Sequence, residues 1–525
     1  MIESRNCTDW EVRNAIQELS KTHNFLSEFP AKAQRRKENR KGKQNESPLR
    51  LSLRLCAFAG QFLLRALGLL IFLSVNIAAQ ASVRSVVTIS LTKPDEIRVE
   101  AELSTPMRSW SFRNAYAGAL GIAERVQDFR ASDAVVEKAA TGEFRADHET
   151  RRISYTIKLP KPTLADVTHF SWILDDRGFL MFADLVPLEI RSLSAAFVLP
   201  QEWSVESSFP RDANGRYEVA EPEKAVFFIG RALRKSSSTV AGMPLDIVLS
   251  GKWPFKESDA LEPAVSLMQK YLALTGFRLP GKSTIMIAPL PVNDRKPDWK
   301  AETRGSTVVL LVNPHASFKR WAAQFTVIFA HEILHLWVPN SLKLAGDYDW
   351  FFEGFTLYTA LCTSLELRVI DFKEYLNTLG RVYDSYRSQP DDDLSLLEES
   401  GRRWFTAGQQ VYVKGMLVAF LYDLLLRKES GGRKTLLDAY RDLFSRPTAA
   451  GADGNEAIIS VLGSTPVARN FIRSYVETSK KVELEQILPA YGLSVDSTGK
   501  GALLRVSGGV NEDQKRLLRS LGYRD

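Results

Sequence analysis

The sequence predicts an α+β protein of several domains, in which an N-terminal all-β sandwich precedes a mainly helical domain with a helical C-terminal extension. From residue 82 to about residue 245, apolar residues alternate with polar ones in short runs that end at Pro, Gly, Asp or Asn, a pattern typical of half-buried strands joined by turns. Beyond residue 251 the apolar residues recur at helical spacing. The 525 residues are 45% hydrophobic and 25% charged, which excludes a disordered or multi-spanning membrane protein.

We expect the chain to divide into a basic leader at 1–81, a β-sandwich domain at 82–245, a mainly helical domain at 246–430 and a helical C-terminal region at 431–525. Six runs predict strands of the sandwich: 85–91, 97–103, 152–159, 179–185, 195–199 and 225–229. The second part opens with a predicted helix at 258–274, followed by strands at 283–290 and 306–312. Apolar spacing then predicts four helices: 316–338, which Pro339 ends, and 348–366, 371–388 and 406–428.

The positive charge of the chain is concentrated in the leader. The formal net charge is +7, and residues 1–81 carry 13 basic and 7 acidic residues, which leaves 56 basic and 55 acidic residues in the rest. Since residues 82–525 are nearly neutral, their composition does not indicate a basic surface for nucleic acid, and we expect no nucleic-acid partner.

The leader also contains the three parts of a secretory signal peptide. A basic flank precedes an apolar run at 66–79, and Ala79-Gln80-Ala81 forms a small-x-small cleavage pattern. The alternative is an uncleaved signal-anchor within 57–81. In both cases the positive-inside rule places the rest of the chain outside the cytoplasm, as an exported, periplasmic or extracellular protein. Residues 1–50 are too long for an ordinary n-region and fit either a cytoplasmic tail or an over-extended gene start.

Cysteine and histidine usage is sparse. After cleavage Cys362 alone would remain of three cysteines, so we expect no internal disulfide and interpret Cys362 as a buried small hydrophobe. His148 and His169, in the predicted sandwich, are interpreted as ordinary surface or packing histidines.

The main candidate catalytic and metal-binding residues lie in the predicted helix 316–338. This helix contains His331-Glu332-Ile333-Leu334-His335, an H-E-x-x-H motif. Residues four apart lie on one helical face, so both imidazoles can bind one ion while Glu332 lies beside the open position. The preceding residues are apolar, and buried histidines in such a helix need a partner such as a metal ion. Zinc hydrolases use two neutral imidazoles and a carboxylate that takes a proton from water at the metal.

A third ligand is available from the next predicted helix. Glu353 lies in an aromatic stretch, and the residues between His335 and Glu353 suffice for a helix end, a turn and an antiparallel return. The predicted site has two histidines, one glutamate and an open position for water. Farther along the chain, the hydroxyl of Tyr412 could donate a hydrogen bond to an oxyanion. A tyrosine in an apolar helix can equally be an ordinary core residue. The residue type and its position leave both interpretations of Tyr412 open.

Three segments resemble those of the gluzincin metallopeptidases, and in particular those of the glycyl aminopeptidase-like family related to aminopeptidase N. The resemblance covers roughly 195–485. The segments are His331-Glu332-x-x-His335-x-Trp337, Trp350-x-x-Glu353-Gly354-Phe355-x-x-Tyr358 and Tyr412-x-Lys414-Gly415.

The resemblance implies a thermolysin-like catalytic domain with one zinc ion and a peptide substrate, and an aminopeptidase-like activity. It implies that His331, His335 and Glu353 bind the zinc ion, that Glu332 is the general base and that Tyr412 stabilises the oxyanion. The competing class is a catalytically silent periplasmic binding protein that keeps the gluzincin fold.

The segment that would hold a substrate departs from the family pattern. Aminopeptidases of this clan place a Gly-rich segment ending in Glu on the strand before the active-site helix, where the Glu binds the ammonium group of the substrate. Glu302 lies at a similar offset here, but the Gly-Gly pair is missing, so Glu302 is either an amine anchor or an exposed glutamate at a strand edge. We also expect the strand 306–312 to offer a backbone edge to an extended peptide.

Overall fold

The structure is a computed structural model that describes residues 84–524 with eight internal gaps. The gaps are 117–118, 165–166, 293–298, 314–317, 390–392, 404–408, 447–448 and 500. The predicted leader, including the signal or anchor segment at 57–81, therefore lies outside the described residues. Within those residues no helix is long and apolar enough to cross a membrane.

Strands form most of the first half of the described chain, and two further strands lie near its C-terminus. In chain order they are β1 Ser85–Lys93, β2 Glu96–Ser111, β3 Ala115–Tyr116, β4 Ala119–Leu120, β5 Val126–Ala131, β6 Val136–Ala140, β7 Glu143–Lys158, β8 Trp172–Ile173, β9 Arg177–Met181, β10 Leu193–Val198, β11 Trp203–Glu206, β12 Tyr217–Val219, β13 Val226–Arg231, β14 Arg234–Val240, β15 Met243–Leu249, β16 Ser283–Pro289, β17 Trp299–Arg304, β18 Thr307–Val312, β19 Leu493–Asp496 and β20 Leu503–Val506.

Helices form most of the second half. They are α1 Glu257–Thr275, α2 Phe318–His335, α3 Thr356–Glu366, α4 Phe372–Arg387, α5 Leu396–Arg402, α6 Gln410–Ser430, α7 Leu436–Ser445, α8 Gly454–Leu462, α9 Pro466–Tyr475, α10 Leu484–Ile487 and α11 Glu512–Ser520. The prediction of a mixed α and β protein is confirmed. The C-terminal region contains the small sheet β19–β20 besides the helices that the sequence predicts there, and it shares one apolar core with α1–α6.

Three sheets are stacked in layers, and strand β13 shows why. A seven-stranded sheet has the order β12-β10-β1-β2-β7-β5, with β6 paired to β7, and a four-stranded sheet has the order β11-β13-β9-β8. Along β13, Phe227 and Ile229 pack into the core that the four-stranded sheet shares with the seven-stranded one. The alternate residues Val226 and Phe228 pack on the other side, against the third sheet. Because side chains alternate across a strand, this central sheet is buried on both faces.

The third sheet connects the β layers to the helices. It has the order β14-β15-β16-β18-β17, with β15, β16 and β18 parallel and β14 and β17 antiparallel at its edges. Val309 on β18 faces the four-stranded sheet, whereas Val308 and Leu310 face the helices. The domain division predicted at 245/246 falls inside β15, a strand of this sheet, so it does not coincide with a break between layers.

The position of strand β17 shows that the prediction about the edge of this sheet is wrong. The strand at 306–312 was expected to offer a backbone edge, and this is wrong, because β18 pairs with β16 on one side and with β17 on the other. The available edge belongs to β17, whose other side pairs with no strand in the described part of the chain. Its sequence, Trp299–Arg304, is largely polar and gave no strand signal, because its pairing with β18 rather than its own pattern defines it.

The predicted helices are observed with changed ends. Helix α2 ends at His335 rather than at Val338, and the stretch predicted at 348–366 begins with a π-helical turn, Trp350–Phe355, that continues into α3. The short helix α5 was not predicted. Cys362, on α3, carries a free thiol and is only partly buried, where it packs against the helical core.

Two glycines set the distance between the π-helical turn and α6. A Cβ on Gly354 would lie 2.5 Å from the Cα of Gly415, and a Cβ on Gly415 would lie 2.9 Å from the carbonyl oxygen of Trp350. The backbones are therefore in direct contact at this crossing. Glu353 directly precedes Gly354, and Tyr412 lies three residues before Gly415, so the crossing brings both side chains into one region.

We predict that Gly415→Ala destabilises the fold, because its methyl group must displace backbone atoms of the π-helical turn. The free energy of unfolding should fall by about 1–3 kcal/mol, as measured by chemical denaturation. Gly508→Ala is the matched control, because a Cβ there meets no described atom within 4 Å and should change the stability by less than about 0.5 kcal/mol. Equal stability of the two variants would contradict the close crossing.

Candidate metal centre

Helix α2 presents two buried histidines from one face. His331 and His335 are one turn apart, and their Nε2 atoms lie 3.1 Å from each other. Both residues are less than a tenth exposed. Spacing of four residues along an α-helix produces this neighbourhood, so the H-E-x-x-H prediction places both imidazoles correctly.

In each imidazole, a hydrogen bond at Nδ1 orients the ring so that Nε2 faces the other histidine. Nδ1–H of His335 donates to the carbonyl oxygen of Val338 at 2.8 Å. Nδ1 of His331 lies 3.3 Å from Oγ1 of Thr356, whose hydroxyl donates toward the carbonyl oxygens of Phe352 at 2.5 Å and Glu353 at 2.9 Å. With both rings protonated at Nδ1, both Nε2 atoms carry lone pairs. Partners of this kind orient metal-binding histidines in proteins.

Glu353 completes a triangle of donors. Its Oε2 atom lies 3.4 Å from Nε2 of His331 and 3.5 Å from Nε2 of His335. Tetrahedral zinc with ligands at 2.0–2.1 Å requires donor separations of about 3.3 Å, so the three observed separations fit this ion. In the described part of the chain, these three residues are the group of histidine, cysteine or acidic side chains arranged to hold a metal ion. Their assignment as ligands remains a prediction that this geometry supports.

Arg403, just after α5, holds the other oxygen of Glu353. Its guanidinium lies 2.8 Å from Oε1 of Glu353 and also pairs with Asp349. Burial opposes ionisation of Glu353, but Arg403 and the two imidazoles outweigh burial and hold the pKa of this carboxyl well below its usual range. Burial and the neighbouring His335 lower the pKa of His331 to about 4. These two shifts favour unprotonated donors, as a metal ion requires. Burial opposes protonation of His335, but the Glu353 carboxylate outweighs burial and raises the pKa of His335.

Glu332 projects toward the sheet instead of joining the triangle. Oγ1 of Thr303, on β17, lies 2.7 Å from Oε2 of Glu332 and 2.8 Å from its backbone oxygen. Burial raises the pKa of Glu332 to about 7, although His335 and the Thr303 hydroxyl act in the opposite direction. Thr303 was not recognised in the sequence. Its position next to Glu302, on the segment that precedes α2, is the signal that could have indicated it.

Tyr412, near the start of α6, belongs to the same cluster. Its hydroxyl accepts a hydrogen bond from Arg403, and burial raises its pKa well above the usual range. The structure therefore brings Tyr412 beside the Glu353–Arg403 pair, but its role as an oxyanion donor stays a prediction. Arg403 was not identified from the sequence, because nothing in the short helix α5 indicates a distant acidic partner.

Glu302 lies on strand β17 itself, and its side chain points away from α2. Glu302 is paired with Val309 and Thr303 with Val308 in the β17–β18 register, and these valines face opposite sides of the sheet. The Glu302 carboxylate contacts the β layers, where His169 lies 3.0 Å away. His169 was interpreted as an ordinary histidine, but the structure places it against this candidate residue. His148 is exposed beside Asp147.

No family model matches the chain, and no curated protein matches it. Several solved structures do match its fold. An aminopeptidase N family protein from Idiomarina loihiensis aligns with a TM-score of 0.69 at 18% identity, covering 82% of each chain. An M1 zinc metallopeptidase mutant from Deinococcus radiodurans, bound to a Tyr-Ser-Ala substrate, aligns with a TM-score of 0.52 at 12% identity over 76% of this chain and 95% of that one. A two-domain M1 zinc metallopeptidase mutant bound to L-arginine has a TM-score of 0.51 at the same identity and coverage.

At these identities the comparisons establish the fold. The chain has the multidomain fold of the M1 zinc metallopeptidases, to which aminopeptidase N-type proteins belong. The resemblance inferred from the three sequence segments is thus confirmed at the level of the fold.

We predict that His335→Ala abolishes stoichiometric zinc binding, because it removes one donor of the triangle. The measurement is metal content after dialysis against zinc, followed by calorimetric titration. His148→Ala serves as the control, since the side chain of His148 is exposed and remote from the triangle in sequence, and it should bind zinc like the parent protein. Full zinc content in the His335 variant would remove this residue from the ligand set.

Proposed function

We propose that this protein is a zinc-dependent peptidase that hydrolyses peptide bonds. The observation that carries the proposal is the triangle of His331, His335 and Glu353, whose three donor separations fit one zinc ion. Glu332 lies on the same helix and outside the triangle, which leaves it available for proton transfer. The fold of the M1 zinc metallopeptidases supports the same reaction class.

When zinc is bound, it lowers the pKa of water and polarises a carbonyl group. Glu332 takes the proton from the attacking water and passes it to the departing amine. Burial raises the pKa of this carboxyl group, which favours its holding the proton between the two steps. The Thr303 hydroxyl fixes Oε2 of Glu332 and so sets the direction of the other carboxylate oxygen. Tyr412 donates a hydrogen bond to the oxyanion.

The available edge of β17 offers a binding place for an extended peptide. A peptide that adds to this edge as a further strand would bond to backbone groups of Trp299–Arg304. Thr303, on the same strand, contacts Glu332, so such a peptide would pass beside the proposed base. The Deinococcus neighbour was solved with a bound Tyr-Ser-Ala substrate, which is consistent with a peptide ligand for this fold.

We also propose a location and a substrate for this protein. The leader at 1–81 would export the protein to the periplasm or the extracellular space, or anchor it to a membrane through 57–81. Aminopeptidase action depends on Glu302 receiving a free ammonium group. The alternative function, a catalytically silent binding protein with this fold, predicts peptide binding without hydrolysis.

We predict that Glu332→Gln retains zinc but lowers the turnover number by at least about 100-fold, since the amide cannot accept the proton of the attacking water. Hydrolysis of a mixed peptide library by the parent and variant proteins, with zinc content measured in parallel, checks this. A zinc-loaded parent that hydrolyses no peptide would favour the silent binding protein. Full turnover in the variant would remove Glu332 as the base.

A second prediction concerns Thr303. Thr303→Val removes the hydroxyl that holds Oε2 of Glu332 and keeps the shape of the side chain, so the turnover number should fall roughly 10- to 100-fold. Thr303→Ser keeps the hydroxyl and should restore most of the turnover. Steady-state kinetics of the three proteins at matched zinc content separates the outcomes. Equal losses in the valine and serine variants would indicate that packing at Thr303, not its hydrogen bond, matters.

A further inference from the structure

Arg403 connects three structural elements through one guanidinium group. It follows α5 directly, and its side chain reaches both the π-helical turn and the start of α6. Its Nη1 atom donates to Oδ1 of Asp349 at 2.5 Å, and its Nη2 atom lies 2.8 Å from Oε1 of Glu353. Nη2 also donates to the hydroxyl oxygen of Tyr412. Because each of these nitrogens carries two hydrogens, the planar fork can bind all three side chains at once.

The spacing of the two acidic residues explains why one arginine binds both. Asp349 immediately precedes the π-helical turn and Glu353 lies within it, and helical residues four apart lie close to one face. Both carboxylate side chains are at most a tenth exposed. Two carboxylates on one buried face repel each other, and the guanidinium between them offsets this repulsion.

Packing keeps the guanidinium at this position. Its central carbon lies 5.1 Å from the ring centre of Tyr412 and 5.9 Å from that of Phe352, distances at which a cation and an aromatic ring attract each other. Helix α5, which carries Arg403 at its end, is itself bonded to the π-helical turn, since the Ser400 hydroxyl accepts a hydrogen bond from the backbone nitrogen of Trp350 at 2.9 Å. Arg403 is thus held by its helix as well as by its own contacts.

These contacts determine which atoms remain available for chemistry. Oε1 of Glu353 is bonded to Arg403, whereas Oε2 faces the Nε2 atoms of His331 and His335. A metal ion held by the triangle would therefore bind Glu353 through Oε2 alone. The Tyr412 oxygen accepts from Arg403, so the hydrogen of its hydroxyl points to an acceptor other than Arg403.

We propose that Arg403 is a positioning residue that couples the proposed zinc ligand Glu353 to the proposed oxyanion donor Tyr412. Its fork limits Glu353 to binding zinc through one oxygen and fixes the Tyr412 hydroxyl relative to that ligand. The part that concerns the oxyanion rests on the proposed peptidase function. A lysine has one ammonium group on a flexible stem and cannot take the place of the fork.

The first test measures zinc affinity by competition with a chromogenic chelator. Arg403→Met should weaken zinc binding about 10- to 100-fold, the range for loss of a partner that orients a metal ligand. Arg403→Lys keeps the charge without the fork and should not restore the parental affinity. Arg402→Met replaces the exposed arginine that precedes Arg403, and as the matched control it should bind zinc like the parent protein.

A second variant covers the case in which Arg403→Met does not fold. Asp349→Asn leaves the Glu353 contact but removes the charge that holds Nη1 of Arg403, so it should weaken zinc binding in the same direction. Parental zinc affinity in a folded Arg403→Met protein, or in Asp349→Asn when the former is unfolded, would overturn the proposal. Full recovery in Arg403→Lys would also overturn it, because charge alone would then suffice.

The second test asks whether Arg403 acts through Tyr412. At saturating zinc, Arg403→Met should lower kcat about 10- to 100-fold with a smaller change in KM. In a Tyr412→Phe protein the same substitution should lower kcat no further, since the hydroxyl that it positions is absent. Losses that simply add in the double variant would overturn the coupling.

A phosphinic peptide provides the same comparison without turnover, because its charged oxygen imitates the oxyanion. At saturating zinc, calorimetric titration should show weaker binding in Arg403→Met than in the parent, and no such difference in the Tyr412→Phe background. If the zinc-loaded parent hydrolyses no peptide, the peptidase function fails, whereas the zinc affinities and the phosphinic peptide still decide the role of Arg403.

Discussion

The site depends on one electrostatic constraint. The Nε2 atoms of two buried imidazoles and a carboxylate oxygen face one another at 3.1, 3.4 and 3.5 Å, so a proton or a metal cation among the three atoms is needed to offset the repulsion of their lone pairs. The surrounding contacts maintain this arrangement. The carbonyl oxygen of Val338 and the hydroxyl of Thr356 fix the two rings, and Arg403 binds the outer oxygen of Glu353.

The fold brings these groups together from separate layers. Helix α2 supplies the two histidines and Glu332, the π-helical turn supplies Glu353, and the Gly354–Gly415 contact draws α6 with Tyr412 toward that turn. π-Helical turns are frequent at functional sites, where the wider turn redirects a side chain. The third sheet lies on the other side of α2. Through Thr303 it fixes the proposed base, and through Glu302 it connects the site to the β layers.

The sequence predicts those parts of the site that depend on local spacing. Helical periodicity is sufficient to place His331 and His335 on one face, and the aromatic stretch after the turn identifies Glu353. Thr303 and Arg403 were missed because their contacts join residues far apart in the chain: Thr303 is 29 residues from Glu332, and Arg403 is 54 residues from Asp349. The same reason explains the error at the sheet edge, since β17 is defined by its pairing with β18 and not by its own pattern.

The most direct test of the central claim is zinc K-edge X-ray absorption spectroscopy of the zinc-loaded protein. We expect one zinc ion per chain with two imidazole nitrogens at about 2.0–2.1 Å, the remaining ligands being oxygen. In His331→Ala, the outer-shell scattering of imidazole should be halved if residual zinc is bound. A spectrum with sulfur at about 2.3 Å, or one without imidazole scattering, would contradict the assignment of His331, His335 and Glu353 as the metal centre.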